Sequence, residues 1–278
     1  MRKTKPTKDG KITITNLSKK NMNLFVQMAK NMLPEKTKVN VDFGKAEGFI
    51  YVMDFKGGIQ AQQVDNLREE VNAILSVSKI EKPSEVIVKL DSPGGTVNGY
   101  GLAAAQLARF RKENIPLTVV VDQVAASGGY MMASVADKIV SAPFAVIGSI
   151  GVVMEFPNFA TLLEKVGVNY KQYTAGEFKR TVSPMTKPTQ EGEDKLNEKL
   201  AHTLDLFKKH IKKYRSKVDI DKVATGETWY GEECVDLGLV DEVMTYEEYL
   251  EKKLITHEVY KVCFEKQEKM SRKLSLGL

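Results

Sequence analysis

The stretch that decides the fold is "EVIVKLDSPGGTVNGYGLAAAQLARFRKENIPLTVVVDQVAASGG", residues 85–129. Two apolar runs rich in β-branched residues, 85–90 and 117–122, have the length of buried strands. The segment between them, 97–113, has apolar residues at helical spacing and ends in basic residues. A strand, a helix and a second strand in this order are typical of a βαβ unit with parallel strands.

The same alternation continues on both sides of this unit. Upstream, the apolar run 49–55 predicts a strand and the amphipathic segment 61–78 predicts a helix. Downstream we predict core strands and turns over 139–154, a short helix over 158–167 and a strand leading into a loop over 170–189. A long charged helix follows over 190–217, and 232–243 predicts a helix that ends at a glycine before a short strand. We therefore predict an α/β fold built from βαβ units around a largely parallel sheet.

The composition is that of an ordinary soluble protein with a sizeable core. Of its 278 residues, 42% are hydrophobic and 28% are charged. The net charge is +5, and the first 20 residues alone carry +6, so the rest of the chain is nearly neutral. A nucleic-acid-binding domain would carry its positive charge on a folded patch, so we expect no nucleic-acid partner.

Changes in composition divide the chain into three parts. Residues 1–45 are lysine-rich and are interpreted as a basic arm, compatible with the flank of a missing membrane anchor. Residues 46–245 hold the predicted folded domain, and residues 246–278 are interpreted as a charged, peripheral extension. No apolar signal-peptide core follows the first basic residues, and the longest uncharged stretch, 139–154, is shorter than the ~20 residues of a membrane span. The chain as given is therefore expected to behave as soluble.

We predict neither a metal site nor a cofactor. Cys234 and Cys263 have no partner ligands at metal-binding spacing, and the three histidines lie far from any C-x-x-C pattern. A disulfide between the two cysteines has little support from the sequence.

Ser127 lies where a strand turns into a helix, among residues too small to shield its hydroxyl. It can be read as a helix N-cap or as a nucleophile with the Gly128 amide aimed at a developing oxyanion. In the loop "SPGG" (92–95), Gly94 and Gly95 leave two further amides unshielded. Both loops follow strands of one parallel sheet, so we expect them to meet at the same edge.

A serine nucleophile needs a base, and no histidine precedes residue 202. His202 and His210 are eight residues apart on a charged helix, which suits solvated positions. Lysine can serve instead when burial disfavours its ammonium form. Lys179, in "TAGEFKRT" (174–181), is a plausible candidate, but local chemistry does not choose it over Lys171 or Lys187.

Four segments together resemble a known family. "DSPGGTVNGYGLAAAQL", "VAASGGYMMASVADKIVSAPFAVIGSIGV", "TAGEFKRT" and "DKVATGETWYGEECVDLGLVDEV" look like the signal peptide peptidase A family of serine proteases, peptidase family S49, and within it the SohB branch. The resemblance runs over about residues 49–245. It implies a fold of the Clp protease and crotonase type and a serine endopeptidase with a Ser–Lys dyad.

Residue by residue, the resemblance implies five roles. Ser127 matches the nucleophile, and Lys179, 52 residues downstream, matches the general base. Gly95 and Gly128 match the oxyanion donors. Ser149, in "IGSIG", matches a serine that orients the lysine amine.

The resemblance also implies assembly and location. Family members form ring-like homo-oligomers whose sites are shared between protomers, so we expect Ser127 and Lys179 not to hydrogen-bond within one chain. Implied substrates are extended peptides, such as signal-peptide remnants or misfolded and membrane-associated proteins, at the bacterial inner membrane or cell envelope. The basic arm 1–45 would then provide membrane association.

Two other functions remain open. A crotonase-like acyl-CoA hydratase or hydrolase would use the glycine amides to polarise a thioester. Against it, the glycine loops offer no convincing acidic base: Asp91 precedes "SPGG", but a carboxylate at a strand end is more often a turn former. An inert assembly protein on the same fold is the other alternative, and the presence of Ser127 and Lys179 argues against it.

Overall fold

The computed structural model describes residues 10–18 and 46–266. The strands of this part are β1 (Gly10–Asn16), β2 (Gly48–Lys56), β3 (Glu85–Ser92), β4 (Leu117–Ala126), β5 (Lys138–Ser141), β6 (Val146–Gly148), β7 (Thr228–Tyr230), β8 (Glu242–Val243) and β9 (His257–Lys266). Its helices are α1 (Val64–Ser78), α2 (Val97–Lys112), α3 (Gly128–Ala133), α4 (Ala160–Lys165), α5 (Gln190–Tyr214), α6 (Ile220–Val223), α7 (Gly231–Asp236) and α8 (Tyr246–Thr256).

These strands form one mixed sheet that is mostly parallel. The order along its main path is β1-β9-β2-β3-β4-β5-β8, and β6 pairs with both β4 and β7. The β1–β9 and β6–β7 pairs are antiparallel, whereas the other pairs are parallel. The units β2-α1-β3 and β3-α2-β4 are the predicted βαβ crossovers, so the predicted α/β architecture is confirmed.

Helices cover both faces of the central strands, which explains why those strands are continuously apolar. On one face, α1 and α2 bury Leu67, Ile74 and Leu107 against the sheet. On the other face, Tyr246 and Tyr249 of α8 pack against alternate residues of β2, β3 and β4. The central strands are therefore the rigid part of the molecule on which the site is built.

Strand β4 pairs with two different strands along its length. Its first half, 118–121, pairs with β5, and its last residues, 124–126, pair with β6. The register with β3 also shifts between Leu90 and Ser92. As a result, the loop after β3 and the end of β4 leave the sheet side by side.

The C-terminal region differs from the predicted peripheral extension. Up to Lys266 it is part of the fold: α8 covers one face of the sheet, and β9 lies between β1 and β2. Its sequence, "HEVYKVCFEK", mixes apolar and charged residues, and only Val259, Val262 and Phe264 are buried. The arm also contributes β1. Residues 1–9, 19–45 and 267–278 lie outside the described residues.

The strand predicted at the start of 170–189 does not form. Residues 168–174 have no regular structure, and every residue from 164 to 180 is exposed. In the described chain no strand pairs with this segment, so its backbone has no ladder to join. The other predicted elements downstream of residue 139 are present as described above.

Across residues 10–18 and 46–266, none of the helices combines the length and the apolar character needed to cross a bilayer.

Candidate active site

Ser127 has an unusual backbone conformation between β4 and α3. Its φ is 51° and its ψ is −118°, a combination that residues other than glycine rarely adopt. Two hydrogen bonds hold it there: its N–H donates to the Gly148 carbonyl at 2.7 Å, and its carbonyl accepts from Met131 N–H at 3.0 Å. The Ser127 hydroxyl makes no capping bond to α3. The N-cap interpretation is therefore wrong, and the hydroxyl is left available.

The two glycine-containing loops meet at this point, as expected. A Cβ atom added to Gly94 would lie 2.8 Å from the Ser127 Cβ and 2.7 Å from the Gly128 nitrogen. Gly94 also has a φ of +92°, which favours glycine. The "SPGG" loop thus lies directly against the serine because it carries no side chain there.

Among the described residues, two main-chain amides of the loops that meet at Ser127 have no internal partner. Within the described residues, the N–H groups of Gly95 and Gly128 have no hydrogen-bond acceptor, whereas that of Gly94 donates to Ser92 Oγ at 3.2 Å. Free amides next to a hydroxyl are the groups that can hold the oxyanion of an acyl transfer.

Ser149 is brought to the same edge by the pairing of β6 with β4. Gly148, its neighbour, accepts the hydrogen bond from Ser127 N–H. Ser149 itself has a φ of 50°, and its N–H donates to the Glu227 carbonyl at 2.6 Å. Backbone hydrogen bonds therefore hold both Gly148 and Ser149 in place.

Lys179 does not hydrogen-bond Ser127 within the described part of the chain. It is exposed, and in the described part of the chain its amine makes neither a hydrogen bond nor an ion pair. Lys171 is also exposed, whereas Lys187 forms an ion pair with Glu164 at 2.8 Å. Lys187 is therefore engaged in an ion pair, and the described part of a single chain shelters none of these lysines from water.

His210 is not the solvated residue that the charge pattern predicts. It is half-buried, and its Nε2 lies 3.0 Å from the Met131 carbonyl, on the helix that Ser127 precedes. Because a carbonyl only accepts, Nε2 carries the proton in this contact. Burial lowers the pKa of His210, which favours the neutral ring. Its bound nitrogen is a donor and not a free base for Ser127. His202 is exposed, as predicted.

Other candidate groups are occupied or inert. Asp91, the acid required by the acyl-CoA alternative, forms an ion pair with Lys56 at 3.3 Å. Both cysteines are free thiols. Burial raises the pKa of Cys234 to about 12, so this thiol is not an activated nucleophile.

Sequence reasoning missed two polar residues beneath the glycine loops. Tyr100 is completely buried, and its hydroxyl donates to the Gly58 carbonyl at 2.9 Å and also hydrogen-bonds Ser92 Oγ. The available signal was a tyrosine among small residues on the core-facing side of α2.

Comparison with known proteins places the chain in a family. Residues 109–259 match the sequence profile described as "Peptidase family S49", and residues 1–107 match "Peptidase family S49 N-terminal". A "Probable protease SohB" of Haemophilus influenzae is 50% identical over 224 residues, which is 81% of this chain and 63% of that protein. A "Probable protease SohB" of Buchnera aphidicola subsp. Schlechtendalia chinensis is 40% identical over 249 residues, 87% of this chain and 81% of that protein.

Among solved structures, a mutant of the "1510-N membrane-bound stomatin-specific protease" has a TM-score of 0.49 at 18% identity, over 75% of this chain and 86% of that one. The chain spans less than two thirds of the Haemophilus relative, at 63% of its length. Two profile matches and the identity to these relatives agree. The chain therefore belongs to peptidase family S49.

Proposed function

We propose that this chain is a serine endopeptidase in which Ser127 is the nucleophile and Lys179 the general base. The observation that carries the proposal is the Ser127 hydroxyl, left uncapped by a left-handed backbone and placed beside free amides. Membership of a peptidase family supports peptide hydrolysis over acyl-CoA chemistry, whose candidate base Asp91 is ion-paired with Lys56.

The proposed reaction has two halves. Neutral Lys179 Nζ takes the Ser127 proton as Oγ attacks the peptide carbonyl carbon, and the amides of Gly95 and Gly128 hold the oxyanion. The lysine ammonium then gives its proton to the leaving amine as the C–N bond breaks. Water then gives a proton to the same amine as its oxygen attacks the acyl carbonyl carbon, the bond from that carbon to Ser127 Oγ breaks, and the ammonium returns the proton to Oγ. Ser149 is proposed to accept a hydrogen bond from the amine and turn it toward Ser127.

The general base is proposed to come from a neighbouring copy of the chain. Lys179 lies in an exposed segment that also exposes many large apolar side chains: Val153, Met154, Phe156, Phe159, Leu162, Val166, Val168, Tyr170, Tyr173 and Phe178. A concentration of exposed apolar residues marks an interaction surface. Covering it with a second copy would remove water from the lysine and favour its neutral form. A closed ring would satisfy every such contact.

The substrates are proposed to be extended peptides, because the residues on either side of Ser127, Ala126 and Gly128, are too small to block the approach of a peptide backbone. Signal-peptide remnants and misfolded or membrane-associated proteins are the classes that the family resemblance suggests. We further propose that the site works at the bacterial inner membrane, with the basic arm 1–45 near its surface.

The test is peptide hydrolysis by purified wild type and single variants. Ser127→Ala and Lys179→Ala are each expected to lower kcat by roughly 10³-fold or more. Lys171→Ala and Lys187→Ala, the matched lysine controls, are expected to stay near wild type. Equal activity in wild type, Ser127→Ala and Lys179→Ala would mean a contaminant or an inert chain. Turnover of an acyl-CoA without peptide cleavage would favour the crotonase-like alternative.

Subunit mixing tests the shared site. When Ser127→Ala and Lys179→Ala chains are refolded together, we expect about a quarter of wild-type activity, since random mixing restores an intact pair at about one interface in four. Each variant alone, treated in the same way, is the control. No recovery from a mixed assembly would mean that both groups of a site belong to one chain.

A further inference from the structure

Tyr100 lies directly behind the two loops that carry the proposed oxyanion donors. It is completely buried on α2, and its ring leaves no room for a side chain at Gly128. A Cβ atom at Gly57 would lie 2.5 Å from its hydroxyl oxygen. The glycines around this tyrosine thus let the backbone of both the β2–α1 loop and α3 approach it closely.

The Tyr100 hydroxyl also belongs to a chain of hydrogen bonds that runs from the "SPGG" loop to the Gly58 carbonyl. Gly94 N–H donates to Ser92 Oγ at 3.2 Å, and Tyr100 donates to the Gly58 carbonyl at 2.9 Å. Because the tyrosine proton is used on Gly58, the Ser92 hydroxyl donates to the Tyr100 oxygen in the bond between them. Every donor in this chain has one acceptor, so the network is directional and fixes the loop.

One residue therefore contacts both sides of the oxyanion hole. Its ring supports Gly128, and its hydroxyl acts through Ser92 on Gly94, which precedes Gly95 and touches Ser127. Oxyanion stabilisation depends on donors that are already held at the correct distance before reaction. We propose that Tyr100 is a positioning residue for the oxyanion hole, an inference that rests on the proposed endopeptidase function.

The first experiment removes only the hydroxyl. Tyr100→Phe keeps the ring against Gly128 but breaks the link to Ser92, so kcat is expected to fall about tenfold, less than the 10²–10³-fold cost of deleting a donor. KM is expected to change by less than about twofold, because substrate binding outside the oxyanion hole is untouched. Ser92→Ala is expected to have a similar effect, and the double variant is expected to be no worse than either single one.

Tyr130→Phe is the matched control. Tyr130 is also completely buried, and its hydroxyl donates to the Leu239 carbonyl at 3.0 Å, away from both glycine loops. Both substitutions delete one buried hydroxyl that bonds a carbonyl, so both are expected to lower the free energy of unfolding by similar amounts. Only Tyr100→Phe is expected to lower kcat. An equal kcat in the two variants would overturn the proposal.

A second measurement does not depend on activity. Amide hydrogen exchange over residues 92–96 of the assembled protein is expected to be faster in Tyr100→Phe and unchanged in Tyr130→Phe. The same exchange rate in both variants would refute the positioning role even if wild type cleaves peptides. If wild type neither cleaves peptides nor reacts with a fluorophosphonate at Ser127, the proposed function fails, and the exchange rates alone decide whether Tyr100 holds the loop.

Discussion

At Ser127, the backbone conformation and the free hydroxyl have the same cause. A capping serine needs extended backbone angles to turn its oxygen toward the helix amides. With a φ of 51° the side chain leaves in another direction, at a strain cost of about 1–3 kcal/mol. The hydrogen bond from Ser127 N–H to Gly148 and the packing of the buried helix α3 offset that cost. Such strain is retained where the surrounding structure over-determines it, which is typical of functional sites.

Gly94→Ala tests how closely the two loops must approach. The added methyl group would lie 2.7 Å from the Ala126 carbonyl oxygen and 2.7 Å from the Gly128 nitrogen, at a φ that disfavours alanine. We expect kcat to fall by at least about tenfold and the free energy of unfolding to fall by about 1–3 kcal/mol. The measurements are peptide hydrolysis and urea denaturation.

Gly101→Ala is the control for this substitution. Gly101 lies within α2, and beyond the local helix backbone no atom lies within 4 Å of a Cβ added there. It is expected to gain roughly 0.5–1 kcal/mol of stability, because alanine favours a helix over glycine, and to keep its activity. Wild-type activity in Gly94→Ala would show that the loops need not touch.

At the scale of elements, the sequence predicted the strands whose apolar residues form a continuous run and the helices whose apolar residues form one face. β2, β3 and β4 are buried on both faces and read as continuous apolar runs, and the helices between them have one apolar face. Strand β9 was missed because its alternating charges resemble an exposed tail, although Val259, Val262 and Phe264 face the core. The burial of His210 could not be read from its helix, since it depends on which side of α5 meets α3.

For the site, local sequence found the glycine loops but not the network below them. The loops have a distinct composition, whereas Tyr100 and Ser92 look like ordinary residues of a helix and a strand end. Their hydrogen bonds depend on tertiary contacts between β3, α2 and the β2–α1 loop. Lys179 came from the family resemblance, because nothing in a lysine's local sequence reports its final environment.

Glu70 links α1 to β9 and makes the stability of that contact depend on pH. Its buried carboxylate accepts a hydrogen bond from Phe264 N–H at 2.8 Å. Desolvation, opposed by this bond and by Lys261 and reinforced by Asp54, raises the pKa of Glu70 from 4.5 to about 7. The folded state therefore favours the protonated acid, and this contribution, complete below about pH 4.5, is lost as the pH rises through about 7.

Glu70→Gln is expected to remove this dependence, since the amide stays neutral and its oxygen can still accept from Phe264. Relative to wild type, the variant should gain on the order of 3 kcal/mol in unfolding free energy between about pH 4.5 and about pH 8. Urea denaturation across this range measures the difference. Glu69→Gln is the control: Glu69 is the adjacent, partly exposed residue of α1, and its substitution should not change how stability depends on pH. A constant difference at all pH values would contradict the raised pKa.

At the scale of the whole molecule, the two halves of the proposed dyad belong to regions with opposite character. Ser127 lies at the end of a buried strand and is held on both sides by the sheet. Among the described residues, no strand pairs with the segment that holds Lys179, and the large apolar side chains of this segment are exposed. The backbone around Ser127 is held within one chain, whereas in our proposal Lys179 gains its shielded environment from a second copy. Activity should therefore follow assembly.

Val166→Asp and Tyr173→Asp test that coupling. These side chains are 63% and 87% exposed in the single chain, so a charge there should leave the monomer fold intact while opposing burial at a subunit contact. We expect sedimentation to show smaller species and the specific activity to fall in proportion. Ile80→Asp is the control, because Ile80 is 85% exposed but follows α1 at the opposite edge of the sheet, before β3 begins. It should change neither assembly nor activity. A monomeric Tyr173→Asp that retained full specific activity would place the base within the same chain and contradict the shared site.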